Sequence, residues 1–493
     1  MLTRLKVTGF KNLIDVDVRF GPFTCIAGAN GVGKSNLFDA ITFLRLLADR
    51  TLHEAALSIR DERGKRGDVR SLFSQHRGSY AKRMRFEAEM LIPKEGVDHL
   101  GQPAQASNTF LVYVLEIGYR DDVLDGVSLE ILEETLDSFN KGDAGGHLVF
   151  PHADRAWRDE LVQAKRRSKY PFLSTQGEGE ERVIQIHQDG NQGRPQPALA
   201  QRLPRTVLSS VSASEAPTAV VARNEMRAWK LLQFEPSALR QSDPMRPAER
   251  SIAADGAHMA STLFHLSRRS PDANGQVQQS VANRVAELVE DIADVWVDED
   301  DKRELLTLHA RMRDGTDYPA RSLSDGTLRF LALAILERID ESGGLYCLEE
   351  PENGIHPARI PAMLRLLQDI ACDPKQPAGR DNPLRQVIIN THAPAVVGQV
   401  PDDSLVVAEP RRRISDGEEV ASVRFSALPN TWRTAKAGVP ACQRGRLLGY
   451  LNPIAAEPEA DADESGTRRQ GTTRVVDRSD IQPFLPGMSG VQK

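Results

Sequence analysis

The sequence predicts an α/β fold: a mixed, largely parallel sheet flanked by helices, an antiparallel β subdomain leaning on it, and an inserted helical arm or lid. Three observations carry that prediction. The short apolar run Phe23-Thr24-Cys25-Ile26-Ala27 leads through a glycine-rich loop into a stretch whose apolar residues Leu37, Ile41, Leu44 and Ala48 recur at helical spacing. From residue 322 to 408, short buried strands alternate with helical patterns, as a helix-covered parallel sheet requires. Between these blocks lie β-rich runs in which apolar and polar residues alternate.

Along the chain, residues 2–8 and 14–20 read as strands of a hairpin turned at Gly9-Phe10-Lys11-Asn12. The glycine-rich loop and its helix run to about residue 48. Residues 50–85 are polar, basic and glycine-punctuated, which fits a surface excursion. Strands are expected at 85–92, 110–117, 127–131 and 183–186, with 176–196 otherwise loop. From 198 to 312 the spacing turns helical, at 226–232, 259–266 and 281–296, broken by Pro236, Pro244, Pro247 and Pro271. Sustained heptads are missing, so a compact arm is expected rather than a long coiled coil. A helix over 328–339, a strand at 345–348, a helix opened by Pro357 with Ile360, Met363, Leu364, Leu367 and Ile370 on its apolar face, and strands at 386–390 and 405–408 complete the pattern. The expected partition is 1–195 and 316–455 as two lobes of one head, 196–315 as the helical insertion, and 456–493 as a disordered tail rich in acidic, Ala and Pro residues at its start.

Bulk properties narrow the function class. The 493 residues carry a net charge of −6, so no global field draws the chain to nucleic acid. The segment from Arg60 to Arg85 holds nine Lys/Arg against three acids, a local +6, which makes DNA a candidate ligand; a solvated basic loop explains it equally well. No apolar run approaches the length of a membrane span, and the charged strand-like start is unlike a signal peptide. Four scattered cysteines fit reduced thiols, and a cytoplasmic setting is expected.

Two motifs carry chemistry. Gly28-Ala29-Asn30-Gly31-Val32-Gly33-Lys34-Ser35 has the G-x-x-x-x-G-K-S spacing of a phosphate-binding loop. Glycines let successive N–H groups turn inward, Lys34 supplies a point charge to the β/γ-phosphates, Ser35 offers a hydroxyl to Mg²⁺, and the following helix aims its positive end at the same anion. Asn30, Gly31, Val32, Gly33, Lys34, Ser35 and Asn36 are the expected nucleotide contacts. Glu349-Glu350 follows a buried strand, as a Walker B element does: Glu349 is placed to hold Mg²⁺ and Glu350 to orient or deprotonate a water. His392 ends the next strand, on the same sheet edge as the loop, within reach of the γ-phosphate or the attacking water.

The ordered set resembles the ATP-binding-cassette class of ATPases. Beside the loop and Glu349-Glu350 it includes a signature-like Leu323-Ser324-Asp325-Gly326-Thr327 and His392 in the switch position. The opening Leu5-Lys6-Val7-Thr8-Gly9-Phe10-Lys11-Asn12, the stretch Leu323 to Phe330 and the run Glu349 to Pro357 are similar to the RecF and structural-maintenance-of-chromosomes branch. More narrowly they resemble ATPases of bacterial anti-phage systems: overcoming-lysogenisation-defect nucleases, Septu and PARIS. The likeness covers about residues 1–50 and 320–410. It implies a P-loop head of the cassette type, with ATP and Mg²⁺ bound between two copies, Ser324 and Gly326 of one head meeting the nucleotide held by Lys34 and Ser35 of the other. It also implies a glutamine near the metal, for which Gln75 is a candidate among several glutamines. Asp325 stands where many cassettes have Gly, and Glu349 where Asp is commoner; both suit slow turnover.

The function expected from this resemblance is a dimerising ATPase that acts as sensor or regulator in a defence complex. Its effector would be a separate protein, such as a Toprim or HNH nuclease, since neither pattern occurs in the sequence. Alternatives are a DNA repair or maintenance ATPase, a non-hydrolysing scaffold, and the energising subunit of a transporter. The last fits poorly, because 288 residues (323 − 35) separate Ser35 from Leu323.

Overall fold

The computed structural model describes residues 1–442 except 60–67, 77, 123–125, 153–154, 166–169, 190–194, 201–202, 247–250, 270–275, 290, 340–342, 380 and 416–417. The expected tail and most of the strongest basic stretch, 60–67, lie outside the described residues.

A six-stranded sheet forms the centre, in the order Trp229–Leu232, Gly344–Glu349, Arg385–Thr391, Phe23–Ala27, Leu405–Ser415, Glu418–Ala427. The first five strands run parallel and the last is antiparallel to its neighbour. Phe23–Ala27 and Gly344–Glu349 are short and largely apolar. Phe23–Ala27 and Arg385–Thr391 are buried at every position, which is why they read as unbroken apolar runs. Their side chains alternate between two cores. Ile26, Leu345, Cys347 and Ile388 face one side, whereas Cys25, Ala27, Tyr346, Leu348 and Ile389 face the other.

An eight-stranded antiparallel sheet closes the first core. Its order is Gln196–Leu199, Val183–Ile186, Leu173–Gln176, Gly126–Ser138, Phe110–Asp122, Arg83–Leu91, Leu2–Thr8, Val16–Arg19. Between the sheets lies the helix Lys34–Leu47, its apolar stripe (Leu37, Phe38, Ile41, Phe43, Leu44) fully buried, and Phe10, Phe43 and Phe86 pack ring against ring. Gln386 ties the two sheets together. It is fully buried on a central strand, donates to the carbonyls of Leu2 (2.7 Å) and Gly21 (2.9 Å), and accepts from the Leu2 amide (2.8 Å). The second core is covered by the helices Met259–Arg269, Gln276–Ala286, Asp325–Glu337 and Ile360–Ile370.

The α/β class, the central strands and the antiparallel subdomain follow the sequence reading. The stretch 196–315 departs from it. Residues 226–232 are not one helix: Pro217–Arg227 is helical and Trp229–Leu232 is the edge strand of the central sheet. A short apolar run has no period of its own, and pairing with Gly344–Glu349 decided its state. The expected helix 281–296 likewise ends at Ala286, and Ile292–Asp300 forms a hairpin with Leu305–Met312. Here Val295, Val297 and Trp296 favour a pleated surface, and buried Leu306, Leu308 and Ala310 supply the alternation. Pro357 opens a short 3₁₀ turn, capped by His356, ahead of the helix Ile360–Ile370. Strands 110–122, 126–138 and 405–415 are longer than expected because each pairs with a long neighbour.

Candidate functional site

The glycine-rich loop joins the buried strand Phe23–Ala27 to the helix Lys34–Leu47, as its spacing demands. Gly33 caps the helix with φ 111°, a conformation closed to most L-residues. A Cβ there would sit 2.3 Å from Asn12 Nδ2. Asn12 is a brace: its amide donates to Val32 O (3.0 Å) and its carbonyl accepts from Asn36 (2.8 Å). Next to it Lys11 pairs with buried Asp39 at 2.7 Å. The residues of the N-terminal turn thus hold the loop from behind. Sequence reading saw them as a turn and as part of an opening that resembles a known family, without this bracing role.

Loop, strand ends and a neighbouring segment enclose a cleft of about 580 Å³. It is lined by Asn30, Gly31, Gly33, Lys34, Ser35 and Asn36 of the loop and helix start, by Glu349, Glu350, Asn353 and Asn390 at the strand ends, and by Gln233, Phe234, Glu235 and Arg329. Lys34 is buried and donates to the carbonyls of Gly28 (2.6 Å) and Ala29 (2.9 Å). Burial lowers its pKa, against the opposing pull of Glu350, Glu349 and Glu352.

Glu349 ends its strand and Glu350 begins the turn. Glu349 accepts from Gln233 Nε2 (2.6 Å) and Asn390 Nδ2 (3.4 Å). Glu350 has φ 45°, and its amide donates to Asn390 O (3.0 Å) and Oδ1 (3.1 Å). One carboxylate oxygen meets His392 Nδ1 at 2.5 Å and the other accepts from Asn353 at 2.9 Å. Burial pushes this carboxyl up, but the hydrogen bonds from Asn353 and His392 outweigh it and hold the group below its ordinary value. Glu350 is therefore an ionised, oriented carboxylate. Glu352 behaves differently. Burial raises its pKa, and only one of its oxygens, facing Thr391 Oγ1, is partnered.

The signature residues sit at the start of the helix Asp325–Glu337, off the cleft wall. Ser324 is exposed and caps the helix, accepting from the Thr327 amide at 3.2 Å. Gly326 packs so closely on the turn after Glu350 that a Cβ would lie 3.0 Å from Gly354 O. Asp325 has a local explanation: Arg240 binds its carboxylate while also donating to Leu323 O (3.2 Å) and Pro236 O (3.1 Å). Arg240 thereby clamps the signature turn to the segment that begins at Gln233.

The structure brings Asn30, Gly31, Gly33, Lys34, Ser35, Asn36, Glu349 and Glu350 to one cleft, with His392 on Glu350 and Val32 holding the loop to Asn12. It does not bring Gln75, which is exposed in the short hairpin Gln75–His76/Ser79–Tyr80. The glutamine at the cleft is Gln233, just past the edge strand that sequence reading took for helix; recognising that strand beside Gly344–Glu349 was the missing signal. The cleft has the chemistry for a Mg²⁺-nucleotide: a glycine-rich loop with the Lys34 cation and the Ser35 hydroxyl, and the Glu349 carboxylate at a strand end. Among the described residues no cluster of three or more His, Cys, Asp or Glu could hold a metal by itself. No helix among them is long and apolar enough to cross a membrane.

Two family models match parts of the sequence. Residues 220–398 match the family model described as AAA domain, putative AbiEii toxin, Type IV TA system, and residues 4–88 match an AAA domain model. No curated protein matches the sequence. Similar solved structures include an SmcHead bound to the C-winged helix domain of ScpA (14% identity, 87% of this chain and 98% of that chain, TM-score 0.43). Others are the Pyrococcus furiosus Smc head with an extended coiled coil bound to the C-terminal domain of ScpA (12%, 86% and 96%, 0.42) and the Thermotoga maritima SMC head (12%, 87% and 99%, 0.36). Loop, paired carboxylates, signature turn and strand order, with AAA-domain matches over residues 4–88 and 220–398, give this chain a P-loop α/β fold of the AAA-domain kind.

Proposed function

We propose that the chain binds and hydrolyses ATP, pairs with a second copy around it, and serves as the regulatory ATPase of a defence complex whose effector is a separate protein. The observation that supports pairing is the division of the anion-binding groups. Lys34, Ser35, Glu349 and Glu350 converge on one cleft, whereas Ser324, at a helix N-terminus, is exposed away from it. A helix start with an exposed capping serine, its hydroxyl shared with the Thr327 amide and hydroxyl, suits a phosphate presented by another molecule. Two-fold pairing of identical surfaces completes both sites at once.

Within each site, loop amides and Lys34 hold the phosphates. Mg²⁺, held through Ser35 and Glu349, would neutralise charge between them. Glu350, fixed by Asn353 and His392, orients water in line with the terminal phosphorus and accepts its proton. Gln233 positions Glu349. Gln233→Ala is expected to slow ATP turnover about ten- to a hundred-fold with ATP affinity changed less than about three-fold, while Gln75→Ala changes neither. Equal effects in the two variants would return the role to an open choice among glutamines.

The defence setting rests on the match whose description names a putative AbiEii toxin and a Type IV toxin–antitoxin system. Direct DNA binding has less support. Of the described cations in the basic segment, Arg70 pairs with Asp68, and Arg83 and Arg85 pair with Glu116, Arg85 also reaching Glu133.

Complementation tests the pairing. Lys34→Ala should fail to bind ATP, and Ser324→Arg should bind it but stay monomeric by light scattering. Each alone should hydrolyse little. Mixed in equal amounts, they form one intact composite site in half the pairs, and turnover should recover to about a quarter of wild type. A mixture as inactive as its components would sink the sandwich.

A further inference from the structure

Arg329 lies on the signature helix beyond Ser324 and lines the same cleft of its own head as Lys34 and Ser35. It is a cation without a bonded carboxylate there. Three acids create the field around it: Asp325, Glu235 and Glu352. Asp325 is committed to Arg240. Glu352 is bound to Thr391 through one oxygen, and its other oxygen is buried without a hydrogen bond among the described residues. The Nε of Arg329 is likewise buried and without a hydrogen-bond partner. Burial outweighs all three acids and lowers its pKa, so the guanidinium is partly stripped of water and not repaid by any ion pair. Lys34, the other cation that lines the cleft, is already bonded to two loop carbonyls.

We propose that Arg329 binds the terminal phosphate of the nucleotide held in its own cleft, so that the head distinguishes ATP from ADP before any second copy arrives. The inference rests on the proposed ATP-binding role and adds to it a residue and a specificity. A planar guanidinium suits a phosphate, to which it offers several donors at once. With ADP in the cleft the terminal phosphate is absent and Arg329 stays unbonded. The position also links two sites. The first turn of the helix that bears Arg329 carries Ser324, and it packs against the Glu350–Gly354 turn through Gly326, with Arg329 Nε 3.9 Å from where a Cβ on Gly354 would stand. Engagement of a terminal phosphate at Arg329 therefore acts on the same rigid helix whose start faces the partner.

The test is competition of Mg·ATP and Mg·ADP against a fluorescent ADP analogue, in a Glu350→Gln background that prevents turnover. Arg329→Gln should weaken ATP about ten- to a hundred-fold and ADP by less than about two-fold, collapsing the ATP/ADP preference. Arg329→Lys, which keeps the charge but not the fork, should fall between and serves if the Gln variant does not fold. An unchanged preference, or equal weakening of both nucleotides as expected of a strut pairing with Glu352, overturns the proposal while ATP binding itself stands. Failure of the Arg329-intact protein to bind either nucleotide, or Lys34→Ala binding both normally, overturns the parent reading and this one with it.

Discussion

Glu350→Gln is expected to cut ATP turnover by about a hundred- to a thousand-fold and to leave ATP affinity nearly intact. The substitution is close to isosteric, and the contacts accommodate it. The amide oxygen can still accept from Asn353, and the amide nitrogen can face His392 Nδ1, which then acts as acceptor. The backbone remains pinned by Asn390 at φ 45°. What disappears is the negative charge that orients water and accepts its proton. Bound ATP then persists, and the variant should accumulate as an ATP-dependent dimer that ADP does not produce. Phosphate release and light scattering on the same sample measure both effects. Turnover near wild type would show that another group takes the proton, and would remove Glu350 from the mechanism.

Gly33→Ala should be the most damaging change in the loop. Its backbone sits at φ 111°, and the new methyl would lie 2.3 Å from the Asn12 amide. Relief requires moving Asn12, which braces both Val32 O and Asn36. Strain and the lost hydrogen bonds together should cost about 2–4 kcal/mol of stability, read by urea unfolding, and ATP affinity should fall more than about a hundred-fold. Gly31→Ala is the control. Its φ is 76°, but a Cβ there meets nothing within 4 Å. It should cost only the backbone component, about 1 kcal/mol, with a much smaller loss of affinity. Similar losses in both variants would mean that positive φ alone, and not the Asn12 brace, sets the loop geometry.

Much of the site was legible in the sequence, for local reasons. Lys34 and Ser35 follow a strand and open a helix, so their placement depends on neighbouring residues alone. Glu349 and Glu350 mark the end of a strand whose unbroken apolar run shows it is buried on both faces. Gln233 was illegible because Trp229-Lys230-Leu231-Leu232 is too short to reveal its period, and only the neighbouring strand Gly344–Glu349 makes it β. The same limit hid the hairpin Ile292–Asp300/Leu305–Met312, whose first strand continues an apolar pattern from the helix before it.

The sequence by itself determined the phosphate loop, the paired carboxylates and the signature turn, because each is written within a dozen consecutive residues, and the α/β class, because strand and helix periods alternate along the chain. The tertiary structure decided which distant groups serve them: Asn12 behind Gly33, Gln233 on Glu349, Arg240 on Asp325, His392 on Glu350 and Arg329 in the cleft wall. The hydrogen-bonded pairs among them are separated in sequence by 20 (Asn12 and Val32), 42 (His392 and Glu350), 85 (Arg240 and Asp325) and 116 residues (Gln233 and Glu349). A side chain's register with a remote strand is set by sheet order and packing, and no local spacing encodes it.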